Sequence, residues 1–244
     1  MATTTFFGAS TLVFAASAAL TIYWSASMSA TGMPMPGGWT MSMAWMRMPG
    51  QTWVEAAASF LGMWIVMMIA MMMPSLAASL SRYREAVLAK RNTHAGLLTA
   101  IAGIAYFFVW TLFGTIAFPL GIALAEIEMR SAPLSRLVPI ATVVVALIAA
   151  SIQFSRWKAR QLTCCREAPA RARALNASAY AAWRYGIHLG LRCTYCCANL
   201  MVILLVMGVM DLRVMAVVTA AITLERLAPR PATTKAHVDS PAQV

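Results

Sequence analysis

The sequence predicts an all-α fold, a polytopic bundle of about six transmembrane helices. Of its 244 residues, 61% are hydrophobic and only 11% are charged, whereas a soluble domain carries about 25% charged residues. The apolar residues form runs long enough to cross a bilayer, separated by short polar or basic segments. We therefore predict one integral membrane domain over residues 1–228 and a polar, disordered tail over residues 229–244.

Six apolar runs define the predicted spans. They cover residues 6–28, 54–80, 95–125, 137–154, 186–210 and 214–227. The first run is interpreted as a span rather than a cleaved signal, because residues 1–46 carry no charge and a signal peptide begins with a basic region. The third run is longer than the bilayer requires, which predicts tilt. Pro74 lies inside the second span and predicts a kink.

The connections between the spans are marked by helix breakers or by basic charge. Residues 29–53 are rich in Pro and Gly as well as Met and Trp, so we predict an irregular loop. Segments 81–94 and 155–184, together with the C-terminal residues from Arg226 onward, hold fourteen of the nineteen basic residues. The positive-inside rule places these segments and both termini in the cytoplasm. No basic helical face is present, so nucleic acid is not an expected partner.

Three cysteines in the fifth span are the first candidate metal ligands. Cys193, Cys196 and Cys197 recur at i, i+3 and i+4, so they share one face of a helix. Clustered thiols favour a soft-metal or redox site, although cysteines in membrane helices also serve only as packing residues. Cys164 and Cys165 precede this helix and are weaker candidates, since adjacent side chains diverge on a helix.

Methionines supply candidate thioether ligands at two places. In the second span, Met71 and Met72 lie at the membrane depth predicted for the cysteines, and Met67 lies one helical turn before Met71. The predicted topology puts the loop 29–53 outside the cytoplasm. This outer loop contains three Met-x-Met pairs, which are Met33 with Met35, Met41 with Met43, and Met46 with Met48. Thiolates together with thioethers favour Cu(I), so we expect copper, with zinc as the second candidate. The alternatives are interfacial packing for the loop and core or lipid-facing packing for the span.

Catalytic motifs are not apparent in this sequence. It contains no phosphate-binding Gly-rich loop and no Ser–His–Asp pattern, and no row of acids crosses the predicted bilayer. We therefore predict no catalytic residues, and a binding protein is favoured over an enzyme.

Two motifs in this order resemble a known family. They are WIVMMIAMMMPS (64–75) and GLRCTYCCANLMVILLVMGVMDLRVM (190–215), followed by a closing LER. They resemble a bacterial family of predicted metal-binding integral membrane proteins, often labelled copper chaperones, over about residues 55–228. The resemblance implies an inner-membrane protein with a metal site at the three clustered cysteines. In relatives, two spaced cysteines precede the Cys helix; here Cys165 matches one, Gln161 stands at the other, and Cys164 is a substitute.

The sequence thus predicts an inner-membrane protein that binds Cu(I) for handling or delivery. Its surroundings are the lipid bilayer, and its expected partner is a membrane metalloenzyme or another subunit, with a homo-oligomer left open. Two alternatives remain. One is a membrane thiol–disulfide oxidoreductase that uses Cys196 with Cys197 or with Cys193. The other is a structural accessory subunit in which the cysteines only pack and glycines such as Gly186 and Gly190 allow close helix contacts.

Overall fold

The computed structural model describes residues 2–29, 33–35, 39–41, 45, 47, 50–90, 93–167, 178–209 and 211–227. These residues contain seven α-helices and one small β-hairpin. The elements are α1 (Ala2–Ser29), β1 (Met33–Met35), β2 (Trp39–Met41), α2 (Trp53–Leu88), α3 (Ala95–Arg130), α4 (Ala132–Gln153), α5 (Arg156–Glu167), α6 (Ala179–Met207) and α7 (Leu212–Leu227). The predicted helical class is confirmed.

Five helices in the described ranges are long and apolar enough to cross a membrane. They are Thr4–Ser27 within α1, all of α2 and α3, Pro133–Gln153 within α4, and all of α6. Helix α7 has 16 residues, fewer than the roughly 20 that a span requires. The predicted number of about six spans is therefore not confirmed.

The helices extend beyond the apolar runs from which they were predicted. Helix α2 continues to Leu88, α3 continues to Arg130, and the polar segment 155–184 contains α5. The physical reason is that hydropathy marks where apolar side chains end, whereas Arg, Lys and Glu sustain helical hydrogen bonding. At its start, α2 has a capping box in which Thr52 and Glu55 each accept a hydrogen bond from the other's backbone N–H.

The outer loop contains regular structure that the sequence analysis did not predict. Strands β1 and β2 pair antiparallel, with Met33 opposite Met41 and Met35 opposite Trp39. Pro34 is tolerated because each strand has only one neighbour and a proline need not donate on the open edge.

Helices α2, α3 and α6 enclose the core. Helix α6 packs along α3 and also contacts α4, α5 and α7, while α2 contacts α1, α3 and α7. Gly186 and Gly190 permit the close approach of α6 to α3, because a Cβ at Gly186 would meet the carbonyl of Ala102 and one at Gly190 would meet Val109. Large apolar side chains on the outer faces of α3 and α4, such as Ile104 and Leu147, are exposed, as expected for surfaces that face lipid.

Candidate metal site

The three clustered cysteines of α6 all point into the core. Cys193, Cys196 and Cys197 are at most 1% exposed, and none of them forms a disulfide. The sulfurs of Cys193 and Cys197 lie 3.9 Å apart, and Cys196 is buried on the same helix. One turn of helix therefore carries three buried thiols, two of which are in sulfur–sulfur contact.

A thioether from α2 joins this cluster. The Met72 Sδ atom lies 4.0 Å from the Cys193 Sγ atom, and Met67 and Met71 are buried on the same helix. When three sulfurs surround a metal in a plane with bonds of about 2.3 Å, neighbouring sulfurs lie about 4.0 Å apart. The two contacts of Cys193 therefore have the spacing of ligands to one metal ion.

Two polar side chains contact the thiols from other helices. The Tyr106 hydroxyl of α3 donates a hydrogen bond to Cys193 Sγ at 2.9 Å. From α7, Arg226 places one guanidinium nitrogen 3.8 Å from Cys197 Sγ and another 3.3 Å from Ser75 Oγ. Neither residue was predicted from the sequence. Arg226 was counted only as a charge that indicates topology, although an arginine at the end of an apolar helix can reach a buried group.

A buried polar network lies behind the Cys helix. Lys158 of α5 is only 3% exposed, and its Nζ atom donates to the carbonyl of Cys196 at 2.5 Å and to Asn199 Oδ1 at 3.3 Å. The same ammonium forms a 3.0 Å ion pair with Glu225 of α7. These contacts fix α6 against α5 and α7 at the level of the thiols.

A family model described as PpoB2, copper chaperone, matches residues 61–239. The chain belongs to this copper chaperone family. The match covers both sequence motifs noted above, so the predicted resemblance is confirmed. No curated protein and no solved structure matches the chain.

An aromatic cluster lies along α2 on the N-terminal side of Met72. Phe60 of α2 packs against Trp45, Trp64 and Phe118, with ring centroids 4.9 to 5.8 Å apart. Trp64 precedes Met72 by eight residues, or about 12 Å along a helix. Its indole nitrogen donates to the carbonyl of Trp110 at 3.0 Å. This cluster closes the core on the side towards the start of α2.

The structure does not describe the side chains of several predicted ligands. Cys164 and Cys165 lie in α5, and Met33, Met35 and Met41 lie in the hairpin, but their side chains are outside the described structure. Residues 43, 46 and 48, the other loop methionines, lie outside the described residues altogether. In the part of the chain that is described, no group of three His, Cys, Asp or Glu residues is placed to hold a metal ion. The contacts of Cys193 bring two thiols together and take the third sulfur from Met72.

Proposed function

We propose that the protein binds Cu(I) inside the membrane through Cys193, Cys197 and Met72 and holds it for transfer to a partner protein. The observation that carries this proposal is the position of the Cys193 sulfur, 3.9 Å from Cys197 and 4.0 Å from Met72 in a buried core. Membership of the copper chaperone family supports copper as the cargo.

The chemistry of the cluster favours Cu(I) over harder ions. Thiolates and a thioether are soft ligands, and soft ligands select Cu(I) among biological cations. The site is closed to solvent, so an ion that keeps bound waters, as Mg²⁺ does, gains nothing there. Zinc remains the second candidate, because thiolates also bind it.

The proposed mechanism is ligand exchange along a series of sulfurs. Methionines of the outer loop capture the ion, Met67 and Met71 pass it inward along α2, and the cysteines retain it. Cys196 and the α5 cysteines Cys164 and Cys165 are the candidate exit ligands. If alanine at all six outer-loop methionines leaves copper uptake by proteoliposomes unchanged, the capture step is wrong.

We further propose the setting of this site. The protein lies in the bacterial inner membrane with both termini in the cytoplasm, and α7 serves as a short sixth span. The receiving partner is a membrane metalloenzyme or another subunit of a membrane complex. The rival function, thiol–disulfide exchange, is less well supported because cysteines at most 1% exposed are poorly accessible to a partner thiol.

X-ray absorption spectroscopy of the copper-loaded protein tests the ligand set. We expect a first shell that contains only sulfur, at about 2.3 Å, as for metal–thiolate bonds. The Cys193→Ser/Cys197→Ser double variant should lose this shell. The Cys164→Ser/Cys165→Ser variant is the matched control and should keep it. A shell of nitrogen or oxygen in the parent would overturn the proposed site.

A further inference from the structure

Arg226 brings a positive charge to the thiol cluster. Its guanidinium lies 3.8 Å from the sulfur of Cys197 and donates to Ser75, whose hydroxyl in turn donates to the carbonyl of Met72. Ser75 is buried and Arg226 is half-buried, so the guanidinium reaches the thiols from the edge of the core. The arginine is thus tied to both helices that supply sulfur.

A second cation near the cluster, Lys158, is paired with a carboxylate. Lys158 contacts the carbonyl of Cys196 rather than a sulfur, and its charge faces the carboxylate of Glu225 at 3.0 Å. The two opposite charges of that pair add nothing to the net charge of the site. Arginine keeps its own charge under all physiological conditions. Arg226 therefore places a fixed positive charge in contact with a thiol.

Charge counting then distinguishes monovalent from divalent metal ions. Cys193 and Cys197 bind a metal as thiolates, and Met72 is neutral. Two thiolates and the Arg226 guanidinium together carry a net charge of minus one. A bound Cu(I) would bring this charge to zero, whereas a bound Zn(II) would bring it to plus one. An uncompensated charge in an apolar interior is strongly unfavourable.

We infer that Arg226 is a specificity-determining residue, whose guanidinium beside Cys197 makes the site neutral with a monovalent soft cation and rejects divalent ions. This inference rests on the proposed function, since it takes the cluster as the cargo site. It extends that function by naming the feature that separates Cu(I) from Zn(II).

Competition between Ag(I) and Zn(II) for the full-length protein in detergent tests the inference. Ag(I) serves as a monovalent soft cation that does not change oxidation state in air. Both ions are offered together, and elemental mass spectrometry measures the ratio of silver to zinc bound to the washed protein. Size-exclusion chromatography first removes misfolded protein, because its exposed thiols would bind both ions and change their ratio.

Arg226→Gln removes the charge and should shift the silver-to-zinc ratio towards zinc by about tenfold or more, as expected for a buried charge pair. Arg226→Lys keeps the charge and should retain the ratio of the parent. Arg213→Gln removes an exposed charge from the same helix and should also leave the ratio unchanged. Arg226→Met replaces the glutamine variant if the latter cannot be purified.

The outcomes separate the two claims. An unchanged ratio in Arg226→Gln, or in the Arg226→Met variant that replaces it, with silver still bound to the parent, would overturn the role of Arg226 and leave the cargo site standing. A parent that binds no monovalent ion would overturn the proposed function, and the inference would fail with it. A shift of the same size in Arg226→Lys would show that shape, rather than charge, controls the ratio, and would also overturn the inference.

Discussion

At the scale of single residues, Cys193 connects the candidate site. Its sulfur contacts Met72 on α2, Tyr106 on α3 and Cys197 on its own helix. A hydrogen bond to a ligand atom orients it and fixes its electronic character, as outer-shell partners do at other metal sites. Tyr106 is therefore expected to tune the affinity of the site without binding metal itself.

Tyr106→Phe removes the hydroxyl that donates to Cys193 and keeps the ring. We expect the affinity for Cu(I) to fall by about tenfold, within the range for outer-shell partners. Titration with a chromophoric Cu(I) chelator measures this affinity. Tyr195→Phe, at an exposed position of α6, is the control and should match the parent. Equal affinity in all three proteins would show that the Tyr106 contact is structural only.

The residue scale also shows what the sequence could predict about the site. The i, i+3, i+4 spacing of the cysteines follows from helix geometry alone, so their common burial was predictable. Tyr106 and Arg226 come from other helices, 87 and 29 residues away from the thiols that they contact. Such contacts depend on how far each helix is rotated and shifted against its neighbours, which a single sequence does not encode locally.

At the scale of helices, the approach of α6 to α3 holds the cysteines in place. Two glycines of α6 face α3, and Gly186 faces backbone rather than a flexible side chain. A rigid obstacle cannot yield, so an added methyl group must separate the helices. The apolar composition predicted that α6 is a span, but not which of its faces meets α3.

Gly186→Ala should lower the free energy of unfolding by about 1–3 kcal/mol, the usual effect of overpacking. The reason is the clash of its new Cβ with the carbonyl of Ala102. Thermal unfolding in detergent measures this. Gly62→Ala on α2 is the control, because a Cβ there meets no atom within 4 Å and alanine favours helix. A Gly186→Ala protein as stable as this control would contradict the packing described for α6.

Lys158 links α5 to α6 and α7, and its removal tests that link. Lys158→Met should lower the free energy of unfolding by about 3 kcal/mol, as for breaking one side of a buried ion pair. Adding Glu225→Gln should restore part of the loss. Glu126→Gln, which breaks the exposed pair of Glu126 with Arg130, should change stability by less than about 1 kcal/mol. Equal effects of Lys158→Met and Glu126→Gln would show that the buried network contributes little.

Helix ends and the hairpin were the parts of the fold that the sequence predicted least well. Helix α5 lies in a segment whose charge indicated a loop, although its arginines and lysine are good helix formers. Charge determines where a chain leaves the membrane and says little about where helical hydrogen bonds end. In the predicted outer loop, the prolines argued against strands, and the two strands present there have only three residues each.

At the scale of the whole molecule, five of the described helices are long and apolar enough to cross a membrane, and the topology depends on whether α7 crosses as a sixth. If α7 crosses as a sixth span, the tail lies on the same side as the segment between α2 and α3. Reporter fusions at residues 90 and 228 test this, using a phosphatase active only outside the cytoplasm. We expect both fusions to be inactive and one at residue 50 to be active. Activity of the fusion at residue 228, but not of the fusion at residue 90, would indicate five spans.

Helices α2, α3, α6 and α7 surround one group of sulfurs, which is the proposed copper site. The most direct measurement is the metal content of the detergent-purified protein by elemental mass spectrometry, beside a Cys193→Ser/Cys196→Ser/Cys197→Ser variant. We expect near-stoichiometric copper in the parent and its loss in the folded variant. No metal in either protein after reconstitution with Cu(I) under reducing conditions would contradict the account.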